Sequence, residues 1–208
     1  MQQATMYSFD GSKQGVVDLN ATYFGRAVNV GLIHRLLLIQ RANGRVNVAH
    51  TKTRGDVIGS TRKLYKQKKT GNARVGDARS PIRRGGGVAF GPRNTQNFSL
   101  MMNKKERRAA LLSLLSSKAQ GGNVFVLDSL PTDTLKTKDI AQFLSKSEQK
   151  SVVFAVTAND QSFFQAGRNI PTAKVISVNY LNPHDLLKFQ NLLFTRESLE
   201  SLPTIFKV

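Results

Sequence analysis

The sequence predicts an α/β fold: a small layered sheet, mainly parallel with flanking helices, carrying a long extended basic loop. Three observations predict it. Beyond Asn103, short all-apolar runs alternate with helical stretches, the pattern of parallel strands covered on both faces. Between Leu32 and Ile39 the apolar residues recur with helical spacing. From Arg41 to Arg93 periodicity vanishes, and fourteen Lys and Arg stand against only Asp56 and Asp77, so this stretch carries +12 of the chain's +18.

Taken in order, Met6–Phe9 and Val16–Leu19 read as strands flanking the turn Asp10-Gly11-Ser12. Asn29 caps a helix whose face is Leu32, Ile33, Leu36, Leu37 and Ile39, and Gly44 stops it. Asn103 with Glu106 forms a capping-box pattern ahead of Leu111, Leu112, Leu114 and Leu115, and Gly121-Gly122 ends that helix. Val124–Leu127 and Val152–Val156 are buried strands, separated by a helix over Lys138–Lys146. A short helix over Asp160–Ala166 stops at Gly167, and Lys174–Val178 is the next strand. Asn182-Pro183 opens a helix running to about Gln190; Leu192–Phe194 is a short strand; Thr195 caps a last helix ending before Pro203. Residues 1–43 and 94–208 are therefore expected to form the globular α/β domain, with 44–93 inserted as a loop. There is no internal repeat.

A pI near 10.7 implies a polyanionic partner. The longest aliphatic run, Leu36–Ile39, is far short of the ~20 residues a membrane span needs. The start, MQQATMYSFDG, lacks the basic and apolar regions of a signal peptide. The absence of cysteine excludes disulfides and thiolate metal sites and suits the cytosol. Without a secretion signal, the glycosylation patterns at Asn20 and Asn97 are read as chance.

A chemical site is not evident. Gly86 and Gly91 have the spacing of a phosphate-binding loop, but Pro92-Arg93 follows in place of Lys and Ser or Thr. Gly85-Gly86-Gly87 needs a glycine at 90 for a dinucleotide fingerprint, and Phe90 stands there. Asp128-Ser129-Leu130-Pro131 follows the first parallel strand without a glycine-rich turn. The sheet is thus Rossmann-like without a nucleotide site. His34, His50 and His184 lie in no metal-ligand spacing; His34 reads as a packed or capped helix residue, His50 as able to stack on a base, and His184 as a surface residue. Asp128 lies where α/β enzymes place catalytic groups, but neither it nor Asp160 has a convergent partner, and helix capping explains Asp128 better. No catalytic residue, metal or cofactor is expected.

The stretch from Arg41 to Arg93 has only nine Val, Ile, Leu or Phe among 53 residues, too few to offset its ordering entropy. Alone it is expected to be disordered. A solvated linker is the plain reading of such a charge run. Against that reading, nine glycines, two prolines and the aromatics Tyr65 and Phe90 are interleaved with the cations, and the segment lies between two helices of one domain. Arginine matches phosphate bidentately and aromatics stack on bases, so the segment reads as a loop that folds when embedded in RNA.

Within it, Lys52-Thr53-Arg54, Gly59 with Arg62-Lys63, Gln67-Lys68, Thr70-Gly71, Ala73-Arg74, Gly76, Arg79-Ser80-Pro81-Ile82, Arg84-Gly85-Gly86-Gly87 and Phe90-Gly91-Pro92 form an ordered series that resembles the signature of the L-four family of large ribosomal subunit proteins. Asn103-Lys104-Lys105 with Arg107-Arg108, Arg168-Asn169 before Pro171, and Asp185-Leu186-Leu187-Lys188 extend the resemblance over nearly the whole chain. The chain departs from the family where Leu64-Tyr65 replaces Pro-Trp, Lys69 replaces glycine, Asn72 replaces a basic residue and Arg83 replaces tryptophan.

The resemblance implies a bacterial-type structural protein of the large ribosomal subunit, cytoplasmic, with an organellar ribosome also compatible. It implies early binding of large-subunit rRNA, neighbouring ribosomal proteins as partners, no membrane and no homo-oligomer. The RNA contacts it implies are Lys52, Arg54, Arg62, Lys63, Tyr65, Lys66, Lys68, Lys69, Arg74, Arg79, Arg83, Arg84 and Arg93 in the loop, and Lys104, Lys105, Arg107 and Arg108 in the helix after it. The implied loop tip, Gln67, Lys68, Lys69, Thr70, Gly71, Asn72, Ala73 and Arg74, would line the exit tunnel beside the nascent peptide. Other functions compatible with the residues are an RNA-binding autoregulator off the ribosome and a nucleic-acid-processing enzyme with a basic clamp; the enzyme would need the convergent acids or histidines that are missing.

Overall fold

In a computed structural model of the chain, residues 2–131 and 135–206 are described. The chain divides into two compact units, one of residues 1–41 with 100–208 and one of residues 42–99. The first is an α/β layer. Its sheet holds β1 (Gln2–Tyr7), β2 (Lys13–Leu19), β3 (Val124–Leu127), β4 (Val152–Val156), β5 (Ala173–Ser177) and β6 (Asn191–Thr195), in the order β2-β1-β3-β6-β4-β5. Only β1 and β2 are antiparallel; β1–β3, β3–β6, β6–β4 and β4–β5 are all parallel.

The central strands are apolar throughout because both faces are covered. Every residue of β4 is buried. Val153 and Ala155 join Leu192, Phe194, Leu112 and Leu115 in one core, while Val152, Phe154 and Val156 join Leu193, Ile140, Phe143 and Phe163 in another. These alternating memberships are the two faces of one sheet. The first face is covered by α3 (Lys104–Gln120), the second by α4 (Thr137–Lys146) and α5 (Gln161–Gly167). The helix α2 (Val30–Asn43) packs Leu36 and Ile39 against Met102 and Ala110 at the start of α3.

Several boundaries differ from the expectation. β1 starts at Gln2, and Phe9 lies outside it, stacked on Phe143 at 5.9 Å between ring centroids. Gln2 and Gln3 carry no strand pattern of their own, and pairing with Leu19 and Asp18 of β2 imposes one. A short helix, α1 (Ala21–Phe24), was not foreseen; the Asn20 side chain accepts from the Thr22 N–H at 2.9 Å, and the helix places Tyr23 and Phe24 in the core.

Asn29 caps α2 as expected, accepting from the Leu32 N–H at 3.0 Å. His34, read as packed or capped, is instead exposed, because the buried stripe of α2 runs through Ile33, Leu36 and Ile39. The Asn103–Glu106 capping box does not form: Asn103 makes no side-chain cap bond, and Glu106 turns to Arg35 at 3.7 Å. At α4 the Asp139 carboxylate accepts the Lys136 N–H at 3.0 Å.

Gly167 is the last residue of α5 rather than a stop beyond it, and it is there for contact: a Cβ would lie 2.3 Å from Val175 Cγ2. The helix α6 (Pro183–Lys188) has the expected Asn182 cap, at 2.9 Å from the Asp185 N–H, but ends two residues before Gln190. Lys118 Nζ donates to the carbonyls of Phe189 and Gln190 at 2.7 Å each, which holds that exit. Thr195 caps α7 (Arg196–Glu200), and α8 (Leu202–Phe206) follows where no helix was expected. Pro203 is its second residue, where a missing N–H leaves no helical bond unmade.

Candidate nucleic-acid interface

The unit of residues 42–99 has no apolar core. Among its described residues Gly87 alone is buried. Where the sequence predicts disorder, hydrogen bonds between the outgoing and returning arms hold this unit in place. The Val88 N–H donates to the Lys52 carbonyl at 2.9 Å and the Thr51 N–H to the Pro92 carbonyl at 3.0 Å. The Asn47 amide donates to the carbonyls of Arg93 at 2.6 Å and Gln96 at 3.0 Å. The Arg45 guanidinium lies 3.8 Å from the centre of the Phe98 ring, a cation–π contact.

The glycines serve this closure. A Cβ on Gly86 would lie 1.9 Å from the Ser80 carbonyl oxygen, one on Gly87 2.2 Å from the Arg54 nitrogen, and one on Gly91 2.0 Å from Thr51 Oγ1. In the sequence the loop glycines stand only as residues interleaved among the cations. At these positions the surface they approach is the same loop, which no local pattern could reveal. Asp56 was also missed as a structural residue, although the spacing Thr53-x-x-Asp56 could have signalled it. Its carboxylate accepts from the Thr53 hydroxyl at 2.6 Å, the Thr53 N–H at 3.0 Å and Arg93 at 3.0 Å. Those bonds, the Thr53 hydroxyl first, hold its pKa down at about 2.

The tip is a second small frame. The Leu64 N–H donates to the Gly76 carbonyl at 3.0 Å, Lys63 Nζ donates to Gln67 at 2.7 Å and to the Val75 carbonyl at 3.1 Å, and the Tyr65 hydroxyl donates to the Ala73 carbonyl. Gly71 turns with φ +70°. Lys69, where the family usually has glycine, holds φ +65°, a left-handed conformation that costs a non-glycine residue on the order of 1 kcal/mol.

The cations fall into two groups. Arg93 is committed to Asp56, and half-buried Arg79 lies 3.8 Å from Asp77 and donates to the Val57 carbonyl at 3.4 Å. Both acids of the unit are thereby engaged. Arg45, Lys52, Arg54, Arg62, Lys63, Lys66, Lys68, Lys69, Arg74, Arg83 and Arg84 are exposed and make no ion pair among the described residues. Tyr65 is half-buried; Gln67, Thr70, Asn72 and Ala73 are exposed. His50 is exposed and accepts the Asn94 N–H at 3.4 Å.

In the α/β unit, Lys104, Lys105, Arg107 and Arg108 are exposed on the first turns of α3. Cations at a helix N-terminus oppose the helix dipole, so their placement does nothing for the helix. At the carboxyl ends of the parallel strands, Asp128 lies 3.6 Å from Arg196, and Asp160 accepts from the Thr157 hydroxyl at 2.6 Å. Asp128 is paired rather than capping a helix. The described residues contain no group of three or more side chains suited to a metal ion and no helix long and apolar enough to cross a membrane.

The family model described as the ribosomal protein L4/L1 family matches residues 17–205. The large ribosomal subunit protein uL4 of Lachnospira eligens is 39% identical over 206 residues, spanning 99% of this chain and 100% of that protein. Proteins of the same name from Dehalococcoides mccartyi and Syntrophomonas wolfei are 41% and 38% identical, with 97% and 99% of this chain and 96% and 100% of theirs covered.

Proposed function

The chain belongs to the ribosomal protein L4/L1 family, and from that premise we propose that it is a structural constituent of the large ribosomal subunit whose 42–99 unit binds rRNA. The observation that carries the reading is a unit with one buried residue, both acids engaged internally, and eleven exposed cations without an ion pair. Such a surface is completed by polyanion. Lys and Arg displace counterions from phosphates, and a preformed frame reduces the ordering entropy of binding.

In this reading Arg79 and Arg93 shape the loop, and the free cations from Lys52 to Arg84 face phosphates. Lys104, Lys105, Arg107 and Arg108 of α3 add a contact from the α/β unit. The tip, Gln67 to Arg74, lines the exit tunnel beside the nascent peptide, and the protein joins the subunit early, next to other ribosomal proteins in the cytoplasm. The deciding experiment is sedimentation in high salt. The tagged protein should travel with large subunits; recovery only in the free fraction would reject the reading.

A further inference from the structure

Phe90 is fully exposed, at 103% of the reference area, in a segment that is otherwise held in place. Two hydrogen bonds flank it, Val88 N–H to Lys52 and Thr51 N–H to Pro92, so residues 88–92 are clamped against 51–52. Gly91 fits against Thr51 with no room for a Cβ, and Pro92 has its φ fixed by its ring. A phenyl ring left in water on a rigid backbone loses little further entropy when something covers it. The chain around it supplies cations, Lys52 opposite and Arg83 and Arg84 before, while the single nearby acid, Asp56, is already neutralised by Arg93.

We propose that Phe90 is a base-stacking anchor: its ring takes the face of one unpaired nucleobase while the neighbouring cations hold the flanking phosphates. A neutral flat ring framed by cations matches the chemistry of single-stranded RNA, whose bases can be splayed onto aromatic side chains. An apolar pocket on a protein would gain nothing from the cationic frame. The assignment rests on the rRNA-binding reading and adds to it a contact that is neither a charge nor at the tip.

The test uses the full-length chain and a large-subunit rRNA transcript. Phe90→Leu should weaken binding by about 5- to 150-fold, the range for losing one stacked base, with an unchanged salt slope because no charge is removed. Phe90→Trp should bind as the parent does. The chain has no tryptophan, so the introduced indole is the only one, and RNA should quench its emission. If the parent binds RNA and Phe90→Leu binds equally well, stacking is rejected while rRNA binding stands. If the parent does not bind, both fall. Emission unaffected by RNA but shifted to the blue in assembled subunits would assign the ring to a protein pocket and overturn the proposal.

Discussion

Arg93 donates to the Asp56 carboxylate at 3.0 Å across 37 residues of chain, fastening the returning arm of the 42–99 unit to the outgoing one. The same carboxylate binds both polar groups of Thr53, so one exposed acid joins a turn to a cross-arm contact. Its pKa is lowered from 3.8 to about 2. A depressed carboxylate contributes fully above its unfolded value and loses that contribution as pH falls through its folded one. The fastening should therefore hold above pH 3.8 and release on approach to pH 2. In an amide titration of the free protein, the Thr53 N–H should shift with a midpoint near 2; a midpoint near 3.8 would mean that the arms are open.

Gly87→Ala should separate the arms. Its Cβ would lie 2.2 Å from the Arg54 nitrogen and 2.4 Å from the Thr53 carbonyl carbon, both backbone atoms that cannot rotate away. RNA affinity should fall about tenfold as the prepared frame is lost, while the thermal transition of the α/β unit is unchanged. Gly76→Ala is the control, since nothing lies within 4 Å of its Cβ position. Equal effects from the two variants would contradict this account.

Asp185 anchors the α/β unit. Its buried carboxylate accepts from Lys174 at 2.6 Å and Asn182 at 2.8 Å, and its own N–H caps onto Asn182. Asn182 and the His184 N–H in turn bind Gln40 of α2 at 3.2 and 3.1 Å. Asp185→Ala should cost roughly 2–3 kcal/mol, or about 4–10 °C in Tm at pH 7. Burial pushes the Asp185 pKa up, but bonds from Lys174, Asn182 and His184 outweigh it and hold the value below 3.8. The stabilisation is thus complete above pH 3.8 and lost below it. Calorimetry should show the gap between parent and variant closing in that acid range.

Replacing Arg83 and Arg84 by Gln should weaken RNA binding and reduce the salt slope by about 1 to 2, since each exposed arginine releases roughly one counterion. Filter binding across a salt series measures it. A weaker affinity with the parent's slope would place both outside the phosphate contact.

Deleting Lys69–Asn72 removes the strained lysine and Gly71 without touching the cross-arm bonds at 51–52 and 88–92. The α/β unit should melt at its usual temperature and the protein should still join the large subunit. The expected change is in tunnel behaviour, read as macrolide sensitivity or stalling on arrest peptides. Loss of incorporation with unaltered tunnel behaviour would refute the tip assignment.

The covered strands were legible in the sequence because burial on both faces leaves a local mark: Val124–Leu127 and Val152–Val156 are apolar at nearly every position, and Asn29, Asn182 and Thr195 announce their helices by local bonds. The charge of the basic stretch is likewise a sum over residues, readable without a fold. What only the tertiary structure decided is what each residue meets after the chain returns. β1 reaches back to Gln2 because β2 pairs with it there, although Gln2 and Gln3 carry no strand pattern. Arg93 is engaged and Arg84 is free because Asp56 reaches one and not the other. Gly86, Gly87 and Gly91 are required by backbone or side-chain atoms of Ser80, Thr53–Arg54 and Thr51, and Phe90 is exposed because the clamp beside it leaves its ring no internal neighbour to pack on. Local propensity acts over a few residues, whereas these pairings join atoms dozens of residues apart, and only the folded backbone sets which ones meet.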